Sequence, residues 1–82
     1  MFTLKILTPD QLFFEGKVEH VMAPGYYGYL GILTDHAPFV TPITQGNLTY
    51  RDEAGKTTTL KVEGGFLEVL KNRVLVLTDK IG

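Results

Sequence analysis

The sequence contains no cysteine and no tryptophan, and it has only two histidines among its 82 residues. Without cysteine the chain can form neither a disulfide framework nor a thiolate zinc site, so its fold must rest on an apolar core. Neither His20 nor His36 has a second imidazole or a carboxylate at the spacing of a metal motif such as H-E-x-x-H. The sequence therefore predicts no metal and no other cofactor.

Long apolar runs and a strong charge of one sign are also missing. No stretch of about 18 apolar residues occurs, and the first ten residues alternate apolar with polar instead of forming the core of a signal peptide. The 8 basic and 9 acidic residues leave a formal charge of -1, and the basic residues are scattered. Because nucleic acids bind to cationic surfaces, we expect no nucleic-acid partner. Because no long apolar run occurs, we expect no insertion into lipid.

Helical patterns are the third absence, since no window of ten or more residues combines apolar spacing of three and four with helix caps. The dominant period is two, as in Phe2, Leu4 and Ile6, which alternate with polar residues. Similar short apolar runs follow each other closely between turn residues. The sequence predicts an all-β protein, a flattened β-sandwich of about ten short antiparallel strands in a single domain over residues 1–82.

Several of the predicted strand boundaries rest on glycine. Gly16 is predicted to end a strand at residues 12–14 and to open a β-hairpin, Gly46 to turn the chain, and the pair Gly64 and Gly65 to separate two strands. Residues 74–77 are continuously apolar, which is typical of a strand covered on both faces or lying at a sheet interface. We expect that strand to be central. Residues 52–55 are the usual residues of a hairpin turn and are predicted to form a loop.

Residues 25–31 read GYYGYLG, and their glycine spacing is similar to that of a phosphate-binding loop. No helix start follows that could supply the amides of a phosphate site, so we interpret Gly28 and Gly31 as bulges or points of close backbone approach within a strand. Strand alternation must place some of Tyr26, Tyr27 and Tyr29 outward. Exposed aromatic side chains are enriched at interfaces, so this cluster predicts a contact surface.

The histidines do not indicate catalysis. His20 is predicted to lie on the same strand face as Val18 and Met22, as a partly buried or rim residue without a role. His36 follows Asp35 in a loop, but adjacent side chains usually point apart and no nucleophile is specified nearby. We therefore expect that the chain is not an enzyme on its own.

Three collinear motifs are specific to one family. They are LTPDQLFFEGKVEHV at residues 7–21, VMAPGYYGYLGILTDHAPFVT at residues 21–41, and VEGGFLEVLKNRVLVLTD at residues 62–79. The second contains G-x-L-G-I-L followed by H-A-P, and the third contains G-G-F-L-E-V and V-x-V-L-x-D. Over nearly its whole length the chain resembles the N-terminal β-sandwich of the epsilon subunit of F-type ATP synthases.

This resemblance implies a non-catalytic rotor subunit of the central stalk. Such a subunit binds the gamma subunit and the ring of c subunits and couples proton- or sodium-driven rotation to ATP synthesis. It would sit peripherally on the cytoplasmic face of a bacterial plasma membrane or, if organelle-encoded, on the chloroplast thylakoid. Matching the motifs position by position gives c-ring contacts at Tyr27, Gly28 and Tyr29, with Tyr29 in the turn that faces the ring, and gamma contacts at Thr8, His36 and Thr41.

Two departures from the family pattern carry expectations of their own. Many relatives have a carboxylate where this chain has Tyr29, so an aromatic, hydrogen-bonding contact would replace a charged one. The sequence stops at Gly82, whereas relatives usually continue into a helical hairpin that inhibits ATP hydrolysis and in some members binds ATP. We therefore expect coupling without self-inhibition, and no nucleotide binding in this domain.

Two other classes of protein remain open at this point. Biotinyl and lipoyl carriers are also flattened β-sandwiches of about this size, a comparison of fold class only. They present a lysine at a hairpin tip, usually beside methionine, and Lys56 and Lys71 near predicted turns lack that neighbour. An enzyme of unknown type would need a pocket with converging titratable groups, and the sequence assembles none.

Overall fold

The computed structural model describes residues 1–34 and 37–82. The chain forms six strands: β1 (Phe2–Leu7), β2 (Leu12–Gly25), β3 (Gly28–Leu33), β4 (Phe39–Asp52), β5 (Thr57–Leu70) and β6 (Arg73–Thr78). The two described ranges contain no helix, so the prediction of an all-β protein is confirmed. The predicted number of about ten strands is wrong.

Five of the strands close into a ring. The order is β1-β6-β5-β4-β2, and a further pairing of β1 with β2 completes the ring, while β3 pairs along β2. The molecule is therefore a barrel-like sandwich rather than an open pair of sheets. One pairing, β1 with β6, is parallel, which corrects the prediction that all neighbours would be antiparallel.

The strand count differs because β2, β4 and β5 are each 14 residues long and run through the predicted glycine turns. At three of these glycines, Gly16, Gly46 and Gly65, a side chain or another strand lies close to the place of a Cβ. A Cβ on Gly16 would meet the Phe14 ring at 3.0 Å, and one on Gly46 would meet Pro24 Cβ at 2.9 Å. A Cβ on Gly65 would overlap the carbonyl oxygen of Leu77. These glycines bend and pack long strands, and the predicted hairpin at Gly16 does not exist.

The core follows the period-two pattern of the strands. Inward-facing side chains from all six strands pack together in it, with Leu4 and Ile6 of β1 fully buried beside Leu48 of β4. In β6, Val74, Val76 and Thr78 are buried, whereas Leu75 is half-buried and Leu77 is 44% exposed. The prediction that residues 74–77 are covered on both faces is therefore wrong, although β6 is paired along both edges as a central strand should be.

A bulge in β2 changes which side chains face inward. The register with β4 shifts between Val18 and His20, so Val18 and Val21 are both buried although they are three residues apart. Met22 is consequently exposed, and the predicted common face of Val18, His20 and Met22 is interrupted at the bulge. His20 itself is half-buried, as expected of a rim residue.

The buried hydroxyl of Thr78 is satisfied within the fold. It donates a hydrogen bond to the carbonyl oxygen of Gly64 at 2.7 Å, which ties the end of β6 to the bend of β5. A buried hydroxyl without such a partner would destabilise the fold by about 1–3 kcal/mol. Gly64 and Gly65 both have positive φ. The hydrogen bond from Thr78 therefore stabilises the bend that these two residues form.

Candidate interaction surface

A hairpin carrying tyrosines projects from one end of the barrel. Tyr26 and Tyr27 form the two-residue turn between β2 and β3, where Gly25 lies opposite Gly28 and Gly28 has a φ of 125°. Glycine is favoured there because L side chains rarely adopt that conformation. The side chain of Tyr27 is fully exposed, with a relative accessibility of 105%. The turn therefore presents an unsupported aromatic ring to any partner at this end.

Tyr29 lies in β3 next to this turn and is 58% exposed. It is opposite Pro24 in the pairing with β2, and its hydroxyl is 3.6 Å from the place where a Gly46 Cβ would be. The resemblance placed Tyr29 in the turn, but the turn consists of Tyr26 and Tyr27. Tyr29 instead leans across Pro24 toward β4, which limits the directions in which its ring can face.

The glycine bulges predicted for this segment do not occur. Gly28 is the residue that closes the turn, and Gly31 pairs regularly with Met22 without a register shift. A Cβ on Gly31 would have no atom within 4 Å, so no backbone approaches it.

The outer face of the ring carries an apolar row that crosses four strands. Pro42 of β4 is opposite Phe66 of β5, Phe66 is opposite Leu77 of β6, and Leu77 is level with Leu7 of β1. Phe66 is 54% exposed, and Leu7 is half-buried. With strands about 4.8 Å apart, four of them present a band about 14 Å wide from first to last. We call these four residues the apolar row.

Along the same face, polarity rises with distance from the tyrosine hairpin. The next level of residues is mixed, with Val40, Glu68, Leu75 and Lys5 paired in sequence across the four strands. The level after that contains Arg73 between Leu70 and Thr3. The face is thus apolar at the hairpin end and charged at the other, as expected of an interface centre with a polar rim.

A cleft of about 480 Å³ lies between the apolar row and the two adjacent turns, and we call it the barrel-end cleft. Its lining is apolar except for two threonines and one carboxylate, that of Asp79. The lining residues are Leu7, Thr8, Pro9, Tyr26, Pro42, Gly65, Phe66, Leu77, Thr78 and Asp79. Tyr26 and Pro42 also line the shallow cavity beside the hairpin, so the hairpin and the apolar row are continuous in space.

The two threonines predicted to face gamma both lie near Tyr26. Thr8 exchanges backbone hydrogen bonds with Gln11 in the β1–β2 turn and lines the barrel-end cleft. The Thr41 hydroxyl donates to the Pro42 carbonyl oxygen at 3.2 Å, and Thr41 lines the cavity beside the hairpin. The structure brings both threonines to the hairpin end of the barrel. His36, the third predicted gamma contact, lies outside the described residues.

Sequence reasoning missed the apolar row. Its residues come from four strands, and only the pairing registers place them side by side. A signal was present in residues 74–77, where Leu75 and Leu77 alternate with the buried valines. The unbroken run of apolar residues concealed that alternation.

The described part of the chain holds no cluster of metal-binding side chains. No group of three or more His, Cys, Asp or Glu residues that could hold a metal ion occurs among residues 1–34 and 37–82. No helix within those ranges is long and apolar enough to cross a membrane. What the fold does present is a broad apolar row beside an exposed aromatic hairpin, a combination typical of protein-binding domains.

The comparisons with known proteins place this domain in a family. The family described as ATP synthase, Delta/Epsilon chain, beta-sandwich domain matches residues 1–81. The chain is 47% identical over 76 residues to the ATP synthase epsilon chain of Nitratidesulfovibrio vulgaris strain Miyazaki F, covering 93% of this chain and 56% of the relative. It is 36% identical to that of Chlorobaculum tepidum, covering 98% of this chain and 91% of the relative. The chain belongs to the ATP synthase delta/epsilon family.

Solved structures share the fold at low identity. A chain in the mitochondrial ATP synthase of Euglena gracilis, a structure of OSCP, F1 and c-ring, superposes with a TM-score of 0.90 at 23% identity, covering 96% of this chain and 51% of that one. A chain in the central stalk and c-ring structure from Tetrahymena thermophila gives 0.81 at 16% identity, covering 98% and 64%. This chain thus spans little more than half of most relatives described here, but nearly all of the one from Chlorobaculum tepidum.

Family membership decides between the classes that the sequence left open. It confirms the resemblance to the epsilon subunit and the expectation of a non-catalytic subunit domain of ATP synthase. No relative described above is a carrier or an enzyme of another kind. Lys71 does lie at a turn tip, with a φ of 56°, but its neighbours are Leu70 and Asn72 rather than methionine.

Proposed function

We propose that this chain is a rotor subunit of an ATP synthase central stalk, which binds gamma with one surface and the c-ring with another. The observation that carries the proposal is the continuous surface at one end of the barrel, formed by the apolar row and the tyrosine hairpin. Family membership supports this assignment, because the relatives are named ATP synthase epsilon chain. The 82 residues act in it as one domain.

Gamma is the partner of the apolar row. A surface whose centre is Phe66 and Leu77 and whose far edge is charged has the composition of a stable protein interface. Thr8 and Thr41 flank this surface on the hairpin side. Their hydroxyl groups can form hydrogen bonds with gamma. His36 is kept as the third gamma contact on the basis of the resemblance alone.

The c-ring is the partner of the hairpin tip, through Tyr27, Gly28 and Tyr29. The exposed ring of Tyr27 can lie across the polar loops of the c-ring, and Tyr29 adds a phenol hydroxyl beside it. Aromatic rings with a polar tip suit a contact that is partly apolar and partly wet. The ring contact of this chain is therefore governed by packing and hydrogen bonds more than by charge.

Binding both partners at once would make the domain rotate with them and transmit ion-driven rotation to the catalytic head. The domain works at the membrane face where the catalytic head sits.

Pull-down of the chain against purified gamma and purified c-ring tests the two contacts separately. The wild-type chain should be retained by both partners. Tyr27→Ala should weaken retention by the c-ring and leave gamma binding intact, and Phe66→Ser should do the reverse. Retention of the wild-type chain by neither partner would leave the proposed function without support, and equal effects of both variants on both partners would contradict the division of the surface.

A further inference from the structure

Asp79, a charged group at the proposed gamma surface, has no partner among residues 1–34 and 37–82. Asp79 is exposed directly after β6 and lines the barrel-end cleft. Its carboxylate takes part in no hydrogen bond or ion pair with the described residues, although one oxygen lies 3.8 Å from the place of a Gly64 Cβ. No lysine or arginine lines this cleft. The cleft thus combines an uncompensated negative charge with an apolar floor.

The lining restricts what can fill the cleft once gamma covers the apolar row. An apolar side chain would pack against Phe66 and Leu77. It would also remove the Asp79 carboxylate from water without giving it a partner, which costs free energy. An anionic group would be repelled. A side chain with a long apolar stem and a cationic end can pack its stem on the apolar floor and pair its charge with the carboxylate.

Arginine meets these requirements better than lysine. Its guanidinium can bind a carboxylate through two parallel hydrogen bonds and can also stack on an aromatic ring, and Tyr26 supplies such a ring in the cleft wall. We propose that the barrel-end cleft binds one arginine side chain of the partner that covers the apolar row, with its stem on Phe66 and Leu77 and its guanidinium on Asp79. This inference rests on the proposed function, because it names the chemistry of the gamma contact.

The first test uses the 82-residue chain alone and n-butylguanidinium as the probe. Backbone amide shifts in an NMR titration should move for Gly65, Phe66, Leu77 and Asp79 and should saturate. In Asp79→Asn these shifts should fall at least about fivefold, because the charge-assisted hydrogen bonds are lost. Glu53→Gln is the matched control, since it removes the same charge from an exposed loop outside the cleft, and it should behave as wild type. Equal shifts in wild type and Asp79→Asn would overturn the proposal.

The second test measures the affinity for purified gamma at several salt concentrations. Asp79→Asn should lower the affinity about tenfold and flatten its salt dependence, whereas Glu53→Gln should stay within about twofold of wild type. Unchanged affinity and salt dependence in Asp79→Asn would overturn the arginine contact while leaving gamma binding established. If the wild-type chain did not bind gamma, the proposed function would fail, and the butylguanidinium titration would still decide whether the cleft accepts the cation.

Discussion

Pro24 packs directly over Gly46, and this contact fixes the tyrosine hairpin against β4. A Cβ added to Gly46 would lie 2.9 Å from Pro24 Cβ and 3.2 Å from its Cγ. Because the proline ring is stiff, it cannot move aside by a change of rotamer. The direction in which Tyr27 and Tyr29 project therefore depends on a glycine in a different strand.

Gly46→Ala should destabilise the domain by about 1–3 kcal/mol, because the methyl group has to displace Pro24 from a packed site. Urea unfolding measures this as a lower midpoint at an unchanged slope. Gly31→Ala is the matched control, since its Cβ would meet open space, and its stability should change by less than about 1 kcal/mol. Equal midpoints for the two variants would show that the Pro24 contact does not constrain the hairpin.

Gly65→Ala should be more damaging than Gly64→Ala, although both glycines have positive φ, 121° and 80°. At Gly64 a methyl group has room, so the variant should lose about 1–2 kcal/mol from backbone strain alone. At Gly65 the methyl group would overlap the backbone of Leu77, and relief would require breaking the β5–β6 pairing.

We therefore expect the free energy of unfolding of Gly65→Ala to be at least about 2 kcal/mol lower than that of Gly64→Ala, or the Gly65→Ala protein to be unfolded at 25 °C. Circular dichroism at increasing urea concentrations would report the difference. Indistinguishable midpoints would mean that the bend in β5 can open without loss.

Thr78→Val should destabilise the domain by about 1–2 kcal/mol, because it leaves the carbonyl oxygen of Gly64 without its 2.7 Å hydrogen bond in a buried site. Thr49→Val removes a hydroxyl that bonds to Thr59 on the exposed surface, and it should change stability by less than about 0.5 kcal/mol. Thermal unfolding of both variants side by side measures the contrast. A Thr78→Val protein as stable as wild type would contradict the role of this hydrogen bond.

Phe66→Ser should lower the affinity for gamma by at least about tenfold, because it removes the largest exposed side chain from the centre of the apolar row. Leu33→Ser is the control, since Leu33 is 63% exposed but lies in β3, away from the row. Both variants should unfold at nearly the wild-type midpoint, which excludes misfolding as the cause. Titration calorimetry against gamma gives the affinities, and equal losses for both variants would count against the apolar row as the docking surface.

The parts of the fold that local sequence determines were predictable. Alternation in β1 identified Leu4 and Ile6 as core residues, and the turn residues after β4 identified the loop that the Asp52 carboxylate closes by accepting hydrogen bonds from the Ala54 and Lys56 amides at 2.9 Å. Both signals lie within a few residues of the structure they produce. The resemblance supplied the family, and the proposed c-ring contact at Tyr27 rests on it as well, since no local pattern indicates that contact.

The bent strands could not be predicted, because glycine occurs both in turns and in strands that another part of the chain packs against. The sequence alone does not distinguish the two cases. Gly46 marks the second case only because Pro24, 22 positions earlier, packs against it. The parallel pairing of β1 with β6 is not determined locally either, since an alternating pattern carries no strand direction. The apolar row was hidden for the same reason, because it exists only once the registers of four strands are set.

The measurement that tests the central claim most directly is the rate of ATP synthesis by an epsilon-depleted ATP synthase in proteoliposomes, with and without this chain. If the chain is a rotor subunit that couples the c-ring to gamma, saturating amounts should restore synthesis under an ion gradient, and a chain carrying both Phe66→Ser and Tyr27→Ala should not. Synthesis that stays at the depleted level in the presence of excess folded wild-type chain would contradict the proposed function.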